Sequence, residues 1–156
     1  AQVMPAGNQN NVDTSKTPLF KFLLVADSHS DNSYLNKALG EGKSKDVKFV
    51  IGLGDYTEVG TIDEFKKAKA EFDQTAIRYF LVPGDHDFWD ARNQKKAAHE
   101  NFIQIFGPTY QAFTYNNIRF ILIDNADNYF VTENQNKLAC LEISFLSFSS
   151  KIFTLP

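Results

Sequence analysis

The sequence lacks the features of a disulfide-bonded protein, of a membrane-spanning protein and of a nucleic-acid-binding protein. Its single cysteine, Cys140, excludes an internal disulfide. No apolar run reaches the about 18 to 20 residues that a membrane-spanning helix needs. The formal net charge is −3 and the sequence contains no block of Lys or Arg, so nucleic acid is not indicated as a partner.

What the sequence does contain is enough apolar material for a folded core. Hydrophobic residues make up 43% of the 156 positions, and fifteen of them are Phe, which is typical of one globular domain. Residues 1–17 are polar and lack periodicity, and they predict a flexible leader before a domain that spans 18–156. Because the first residue is Ala and not Met, we expect a secreted or cell-envelope protein, with a cytoplasmic one as the alternative.

Short apolar runs alternate with helical patterns in the first half of the chain. Residues 22–26, 47–53 and 78–82 predict strands, and the first two read as strands buried on both faces. Asp31 is expected to cap a helix that reaches about residue 43, and the capping-box sequence Thr61–Glu64 begins another helix. This alternation with short links is typical of a parallel βαβαβ sheet.

The second half predicts a long helix and then a hairpin. The helix covers 90–106, and the hairpin covers 110–124 with its turn at Asn116-Asn117, since Asn tolerates the positive φ of a two-residue turn. A further helix over about 134–149 and a short strand at 151–153 end the prediction.

Polar clusters follow all three predicted parallel strands. Because the carboxyl ends of such strands line one crevice, we expect the clusters to converge there. Crowded carboxylates repel one another unless a cation compensates them, and an oxygen-rich set with a nitrogen donor suits manganese, iron or zinc. Two such ions about 3.5–4 Å apart are what in-line phosphoryl displacement uses. The clusters are Asp27-Ser28-His29, Gly54-Asp55 and Gly84-Asp85-His86-Asp87.

In their order and spacing, these clusters resemble the Asp-x-His, Gly-Asp and Gly-Asn-His-Asp/Glu motifs of the calcineurin-like metallophosphoesterases. The resemblance covers the N-terminal part of that family's domain. It implies an α/β fold, a β-sandwich with flanking helices that begins with the parallel βαβαβ unit. It also implies hydrolysis of a phosphorylated small molecule or a phosphodiester, as a mono- or diester, by metal-activated water at a site with two divalent or trivalent ions.

The resemblance assigns four metal ligands. Asp27 and His29 would bind the first ion, Asp55 would bridge both ions, and Asp85 would bind the second. Asp85 departs from the family pattern, which has Asn there. A carboxylate at this position adds a negative charge, which favours the metal and weakens the attraction of the site for an anionic phosphate.

The two residues that follow have a role in proton transfer by the same similarity. His86 would protonate the leaving alcohol, and Asp87 would hold its ring. An imidazole suits this role because its pKa lies near neutrality, and a neighbouring carboxylate favours its charged form.

The chain also departs from the family pattern after the hairpin. Neither the family's later His nor its Gly-His-x-His segment precedes Pro156, so we expect a shortened piece of a longer protein. The alternative to an enzyme is therefore a truncated or degenerate domain that binds metal or phosphate without turnover. A further hypothesis is a homo-oligomer in which a partner subunit covers the unfinished sheet edge.

Several other polar and aromatic residues have two interpretations. His99 is interpreted as a solvated residue in the middle of the long helix. Phe88 and Trp89 either flank the substrate or pack in the core. The short basic stretch that begins at Arg92 favours a solvated face, with steering of phosphate as the alternative.

Overall fold

Three parallel strands form the centre of the structure, a computed structural model that describes residues 19–127 and 133–134. Their order in the sheet is the same as their order in the chain. All three carboxyl ends therefore lie along one edge, as the sequence predicts. The strands are β1 (Leu23–Val25), β2 (Val50–Gly52) and β3 (Tyr79–Leu81).

Two helices connect these strands, and both begin at the predicted caps. Helix α1 (Asn32–Ser44) begins at Asp31, whose carboxylate accepts a hydrogen bond from the Ser33 N–H at 3.1 Å. Helix α2 (Ile62–Asp73) begins with a complete capping box between Thr61 and Glu64. The predicted βαβαβ unit is confirmed.

The single long helix predicted over 90–106 is wrong, because the segment after β3 is broken into shorter elements. A 3-10 turn (His86–Phe88) leads directly into α3 (Trp89–Asn93), and α4 (Glu100–Phe106) begins after a further turn. The apolar residues that favour one long helix are Ala98, Phe102 and Ile105, which lie in the turn before α4 and in α4 itself, so they carry no information on α3.

The break lies at Lys95, which has a φ of 58°. The Lys96 N–H donates to the Ala91 carbonyl at 2.9 Å, and the Lys95 N–H donates to the Arg92 carbonyl at 2.9 Å. These two bonds form the Schellman end of a helix, in which the left-handed position is usually Gly. A lysine at that position carries no signal for a helix end, and this is why the sequence did not reveal it.

The predicted hairpin is confirmed. Strands β4 (Gln111–Tyr115) and β5 (Ile118–Leu122) pair antiparallel, and Asn116 and Asn117 both adopt positive φ, 50° and 65°. Two consecutive left-handed residues are what the commonest two-residue hairpin turn requires.

The parallel sheet packs against the helices on one face and against the hairpin on the other. Neighbouring residues of a strand point to opposite faces. Val50 and Leu81 accordingly pack with α2 and α4, whereas Ile51 and Phe80 pack with the hairpin. On the hairpin side the Phe80 ring stacks on Phe113, with centroids 3.5 Å apart. The described part of the chain thus has two cores on either side of one sheet.

The interpretation of β1 as a strand buried on both faces is wrong, whereas that of β2 is confirmed. All three residues of β2 are buried, but Leu24 of β1 is 55% exposed. The reason is that β1 lies at an edge of the described sheet, and the core on the hairpin side contains residues of β2 and β3 but none of β1. A partner subunit that covers the unfinished sheet edge stays a prediction, which light scattering coupled to size exclusion would test.

His99 is not the solvated helix residue that was predicted. It precedes α4, its ring packs edge-on against Phe88 with centroids 4.6 Å apart, and its Nε2 lies 3.0 Å from the buried carboxylate of Asp124. Arg92 is likewise paired, with its guanidinium 2.6 Å from Asp127. Both side chains therefore contact aspartates in the segment after β5.

Some predictions fall outside the described residues. They are the leader over 1–17, the strand over 151–153 and the tail helix over 134–149 apart from its first residue, which is helical. Among the residues that the structure describes, none of the helices has both the length and the apolar character to span a membrane.

Candidate metal centre

Three of the predicted metal ligands come together at the carboxyl edge of the parallel sheet. Asp27 and His29 lie in the loop after β1, and Asp55 lies in the loop after β2. One ligand atom from each side chain lies within 4.8 Å of the other two. His29 Nε2 and Asp27 Oδ1 are 3.9 Å apart, and both side chains are accessible to solvent. The crevice expected from the strand order therefore contains a group that can hold a metal ion.

Backbone hydrogen bonds between the two loops hold these residues in place. The Asp27 N–H donates to the Gly54 carbonyl at 3.1 Å, and the His29 N–H donates to the Asp55 carbonyl at 2.9 Å. Asp27, His29 and Asp55 have φ values of 56°, 44° and 55°, in the left-handed region that non-glycine residues seldom adopt. Such strain persists where the surrounding contacts enforce it, and it concentrates at functional sites.

Two glycines allow the loop after β2 to contact the loop after β3. A Cβ added to Gly54, whose φ is 104°, would lie 2.3 Å from the Gly84 nitrogen. A Cβ added to Gly84 would lie 2.1 Å from Asp55 Oδ1. Any larger residue at either position would push the Asp55 loop out of place, so the Gly-Asp motifs serve packing as well as chemistry.

Asp87 is fully buried beneath these loops. Its Oδ1 accepts from the N–H of Tyr56 and from the N–H and hydroxyl of Thr57, and its Oδ2 accepts from the N–H of Asp55 and of Gly84. Burial raises the pKa of this carboxyl to about 6, against the opposing effect of its donors. One carboxylate thus ties the loop after β2 to the loop after β3.

His86 is held by a different group from the one predicted. Its Nδ1 lies 2.9 Å from the Glu58 carbonyl oxygen, while the carboxylate of Asp87 is occupied by the five donors described above. A carbonyl only accepts, so Nδ1 carries the hydrogen and Nε2 is the nitrogen left for chemistry. The bond to Glu58 raises the pKa of His86, and the nearby carboxylates of Asp55 and Asp85 act in the same direction.

Two other rings surround His86. The indole of Trp89 stacks on it with centroids 3.9 Å apart and an interplanar angle of 28°, and the ring of His29 approaches it edge-on at 4.4 Å. Phe88, by contrast, is completely buried. Core packing, one of the two interpretations for these adjacent aromatics, therefore applies to Phe88. Trp89 lies beside the site instead.

Asp85 does not belong to the group of three ligands. Its side chain is exposed at the beginning of the 3-10 turn, where it makes no capping hydrogen bond. Its position after β3 is the predicted one, and its carboxylate is not among the three ligand groups whose atoms all lie within 4.8 Å of one another.

Sequence reasoning missed Glu58. Its carbonyl holds His86, and its carboxylate oxygen lies 4.0 Å from His29 Nδ1. Glu58 therefore contacts both histidines of the site, through its backbone and through its side chain. The only available signal was an acidic residue three positions after Asp55 in the same loop.

The charges of the site fit a bound cation. Within residues 19–127 and 133–134, no Lys or Arg forms an ion pair with Asp27, Asp55 or Asp85. Carboxylates collected in one crevice without a protein cation are stabilised by a metal ion. Two carboxylates and one imidazole are suitable ligands for a first-row transition metal.

Comparison with known proteins agrees with the geometry. The sequence model of a family described as calcineurin-like phosphoesterase matches residues 20–150, which is most of the chain. A search of curated proteins finds no match.

Proposed function

This chain belongs to the calcineurin-like phosphoesterase family, and on that premise we propose that it hydrolyses phosphate esters with metal-activated water. The observation that carries the proposal is the convergence of Asp27, His29 and Asp55 at the carboxyl edge of the parallel sheet. Their carboxylate and imidazole atoms are the donors that such chemistry needs.

In this proposal Asp27, His29 and Asp55 hold the first metal ion. Asp55 also reaches toward the loop after β3, since its Oδ1 accepts from the His86 N–H at 3.1 Å. Asp55 and Asp85 would hold a second ion, and manganese, iron or zinc suits both sites. When bound, such ions lower the pKa of water and draw charge from phosphoryl oxygens.

His86 supplies the proton that the leaving alcohol needs. Glu58 fixes its Nδ1–H, so the Nε2–H of the charged ring is the proton that can be given away. The raised pKa of His86 keeps a larger fraction of the ring charged at neutral pH. This role requires no direct contact with Asp87.

Asp87 positions the other residues and does not take part in proton transfer. Its two oxygens collect the N–H groups of the Asp55 loop and of Gly84. The ligand Asp55 and the acid His86 therefore keep their relative positions through this one buried carboxylate.

The exposed side chain of Asp85 favours a second candidate function. A site with three converged ligands holds one ion, and it would bind metal or phosphate without turnover. This is the alternative that the sequence left open, and the number of bound ions distinguishes it from the enzyme.

Calorimetric titration with Mn²⁺ tests the metal site first. We expect saturable binding to the native chain and its loss in Asp55→Ala, whereas Asp63→Ala, an exposed aspartate on α2, binds as the native chain does. No binding of Mn²⁺ to the native chain would end the proposed hydrolysis and the metal-binding form of the second candidate.

Hydrolysis then separates the two candidates. With saturating Mn²⁺, we expect turnover of p-nitrophenyl phosphate or bis(p-nitrophenyl) phosphate, and the preferred one of the two assigns monoester or diester activity. One bound ion with no turnover of either compound would favour the binding module.

A further inference from the structure

Trp89 occupies an unusual place for a large apolar residue. It is the only tryptophan of the chain, it is 38% exposed, and its indole lies flat against the ring of His86. The preceding residue, Phe88, is completely buried and packs against His99. The chain thus places one of two adjacent aromatics in the core and leaves the other partly uncovered at the catalytic crevice.

The backbone next to Trp89 is tied to the loop after β2. The Asp90 N–H donates to the Val59 carbonyl at 2.6 Å. The side-chain amide of Asn101 donates to the Gly60 carbonyl at 3.0 Å and to the Asp90 carboxylate at 2.9 Å. Asn101 is itself buried, so this connection is protected from water. The backbone that carries Trp89 is therefore held in position before any ligand arrives, which lowers the entropy cost of binding against its side chain.

The position of the indole determines what it can touch. A group that receives a proton from His86 must come within hydrogen-bond distance of its Nε2. Trp89 covers one side of the same ring, so a leaving group of more than a few atoms meets the exposed part of the indole. An aromatic surface favours planar aromatic groups through offset or edge-to-face contact.

We propose that Trp89 is the specificity residue for the leaving group and that it gives the site a preference for phosphate esters of planar aromatic alcohols. This inference rests on the proposed function. It concerns the leaving group, which lies on the opposite side of the scissile bond from the metal ligands. Asp27, His29 and Asp55 therefore do not select this part of the substrate.

A binding experiment tests this without turnover. The Mn²⁺-loaded native chain is titrated with phenylphosphonate and with methylphosphonate, whose P–C bonds are not hydrolysed. Since the chain has one tryptophan, its fluorescence reports on Trp89 alone. We expect phenylphosphonate to change the emission and to bind about tenfold more tightly than methylphosphonate, which leaves the emission unchanged.

Two variants give the matched comparison. By calorimetry, Trp89→Leu should lose the preference for phenylphosphonate while its affinity for methylphosphonate stays the same, and Trp89→Phe should retain most of the preference. In hydrolysis, Trp89→Leu should lower kcat/KM about tenfold for phenyl phosphate and less than twofold for cyclohexyl phosphate. Thermal unfolding of each variant confirms that it is folded.

The outcomes separate this inference from the function on which it rests. Equal affinity of the native chain for the two phosphonates, with unchanged emission, would overturn the role of Trp89 and leave phosphoester hydrolysis standing. An equal loss of kcat/KM on both esters in Trp89→Leu would also overturn it, because Trp89 would then only position His86. Failure of both phosphonates to bind a chain that holds Mn²⁺ would overturn the inference, whereas the proposed function would fall only if neither p-nitrophenyl ester were hydrolysed.

Discussion

Two regions of this domain are stabilised by different interactions. The aromatic layer, which we define as Phe49, Phe80, Phe113 and Phe120, lies between the parallel sheet and the hairpin and is held by ring packing. The crevice loops, defined as 27–30, 54–58 and 84–87, are held by hydrogen bonds and by left-handed backbone. Apolar packing tolerates a change of shape if volume is kept, whereas a buried hydrogen-bond network does not tolerate the loss of one acceptor.

We therefore expect mutations in the two regions to act on different quantities, stability in one region and metal affinity in the other. Changes in the aromatic layer should lower the free energy of unfolding and leave metal binding intact. Changes in the crevice loops should affect metal binding by more than their effect on stability explains.

The largest effect on stability is expected for Phe49→Ala. Phe49 is 1% exposed, and its ring lies 5.1 Å from those of Phe113 and Phe120. Removing it leaves a cavity, so we expect a loss of about 4 kcal/mol in urea unfolding. Phe49→Leu keeps most of the volume and should lose less than about 1.5 kcal/mol. If folded Phe49→Ala bound Mn²⁺ more weakly than the native chain, the expectation that the aromatic layer affects stability alone would be contradicted.

The next largest effect is expected for Asp87→Asn. The amide keeps one oxygen for Tyr56 and Thr57, but its NH₂ then faces the N–H groups of Asp55 and Gly84. Two buried donors without an acceptor should lower the free energy of unfolding by about 3 kcal/mol. Metal affinity should fall as well, because Asp55 is no longer held. The exposed control Asp63→Asn should leave metal affinity unchanged and lower stability by less than about 1 kcal/mol, since Asp63 lies in the first turn of α2. A stability loss in Asp87→Asn no larger than that of the control would refute the positioning role.

A smaller effect on stability, about 2 kcal/mol, is expected for Gly84→Ala, since its added methyl group meets Asp55 Oδ1 and must displace it. Mn²⁺ affinity, measured by calorimetry, should drop at least tenfold because that oxygen belongs to a ligand. The matched control is Gly40→Ala on α1, where an added Cβ meets no atom within 4 Å. Gly40→Ala should stabilise the chain by about 0.5–1 kcal/mol through the lower entropy of its unfolded state.

The smallest effect on stability is expected for Glu58→Gln. Its carboxylate is largely exposed, so its pairing with His29 contributes less than about 0.5 kcal/mol to folding. The Mn²⁺ affinity should nevertheless fall about tenfold, because a carboxylate beside a metal-binding histidine orients its ring. Glu41→Gln, which removes a similar exposed carboxylate on α1, serves as the control. Equal Mn²⁺ affinities of the two variants would remove Glu58 from the site.

Features that short segments encode could be predicted from the amino-acid sequence. The helix cap at Asp31, the capping box at Thr61 and the Asn116-Asn117 turn each depend on residues a few positions apart, and all three are confirmed. The order of strands and helices placed the three Asp- and His-containing motifs at one edge of a parallel sheet. Local hydrogen bonding is sufficient to specify the caps and the turn, and the direction of the strands is sufficient to place the motifs.

The partner of each side chain in the crevice depends on how the loops pack in the folded protein. Asp87 meets the backbone of the β2 loop in place of His86, Trp89 lies on His86, and Glu58 reaches both histidines. These partners are about 30 positions apart or lie on loops that change direction, so no periodicity in the sequence relates them. A carboxylate bonds whichever donors the fold brings to it. The sequence therefore specified which groups enter the crevice, and the packing of the loops specified what each group does there.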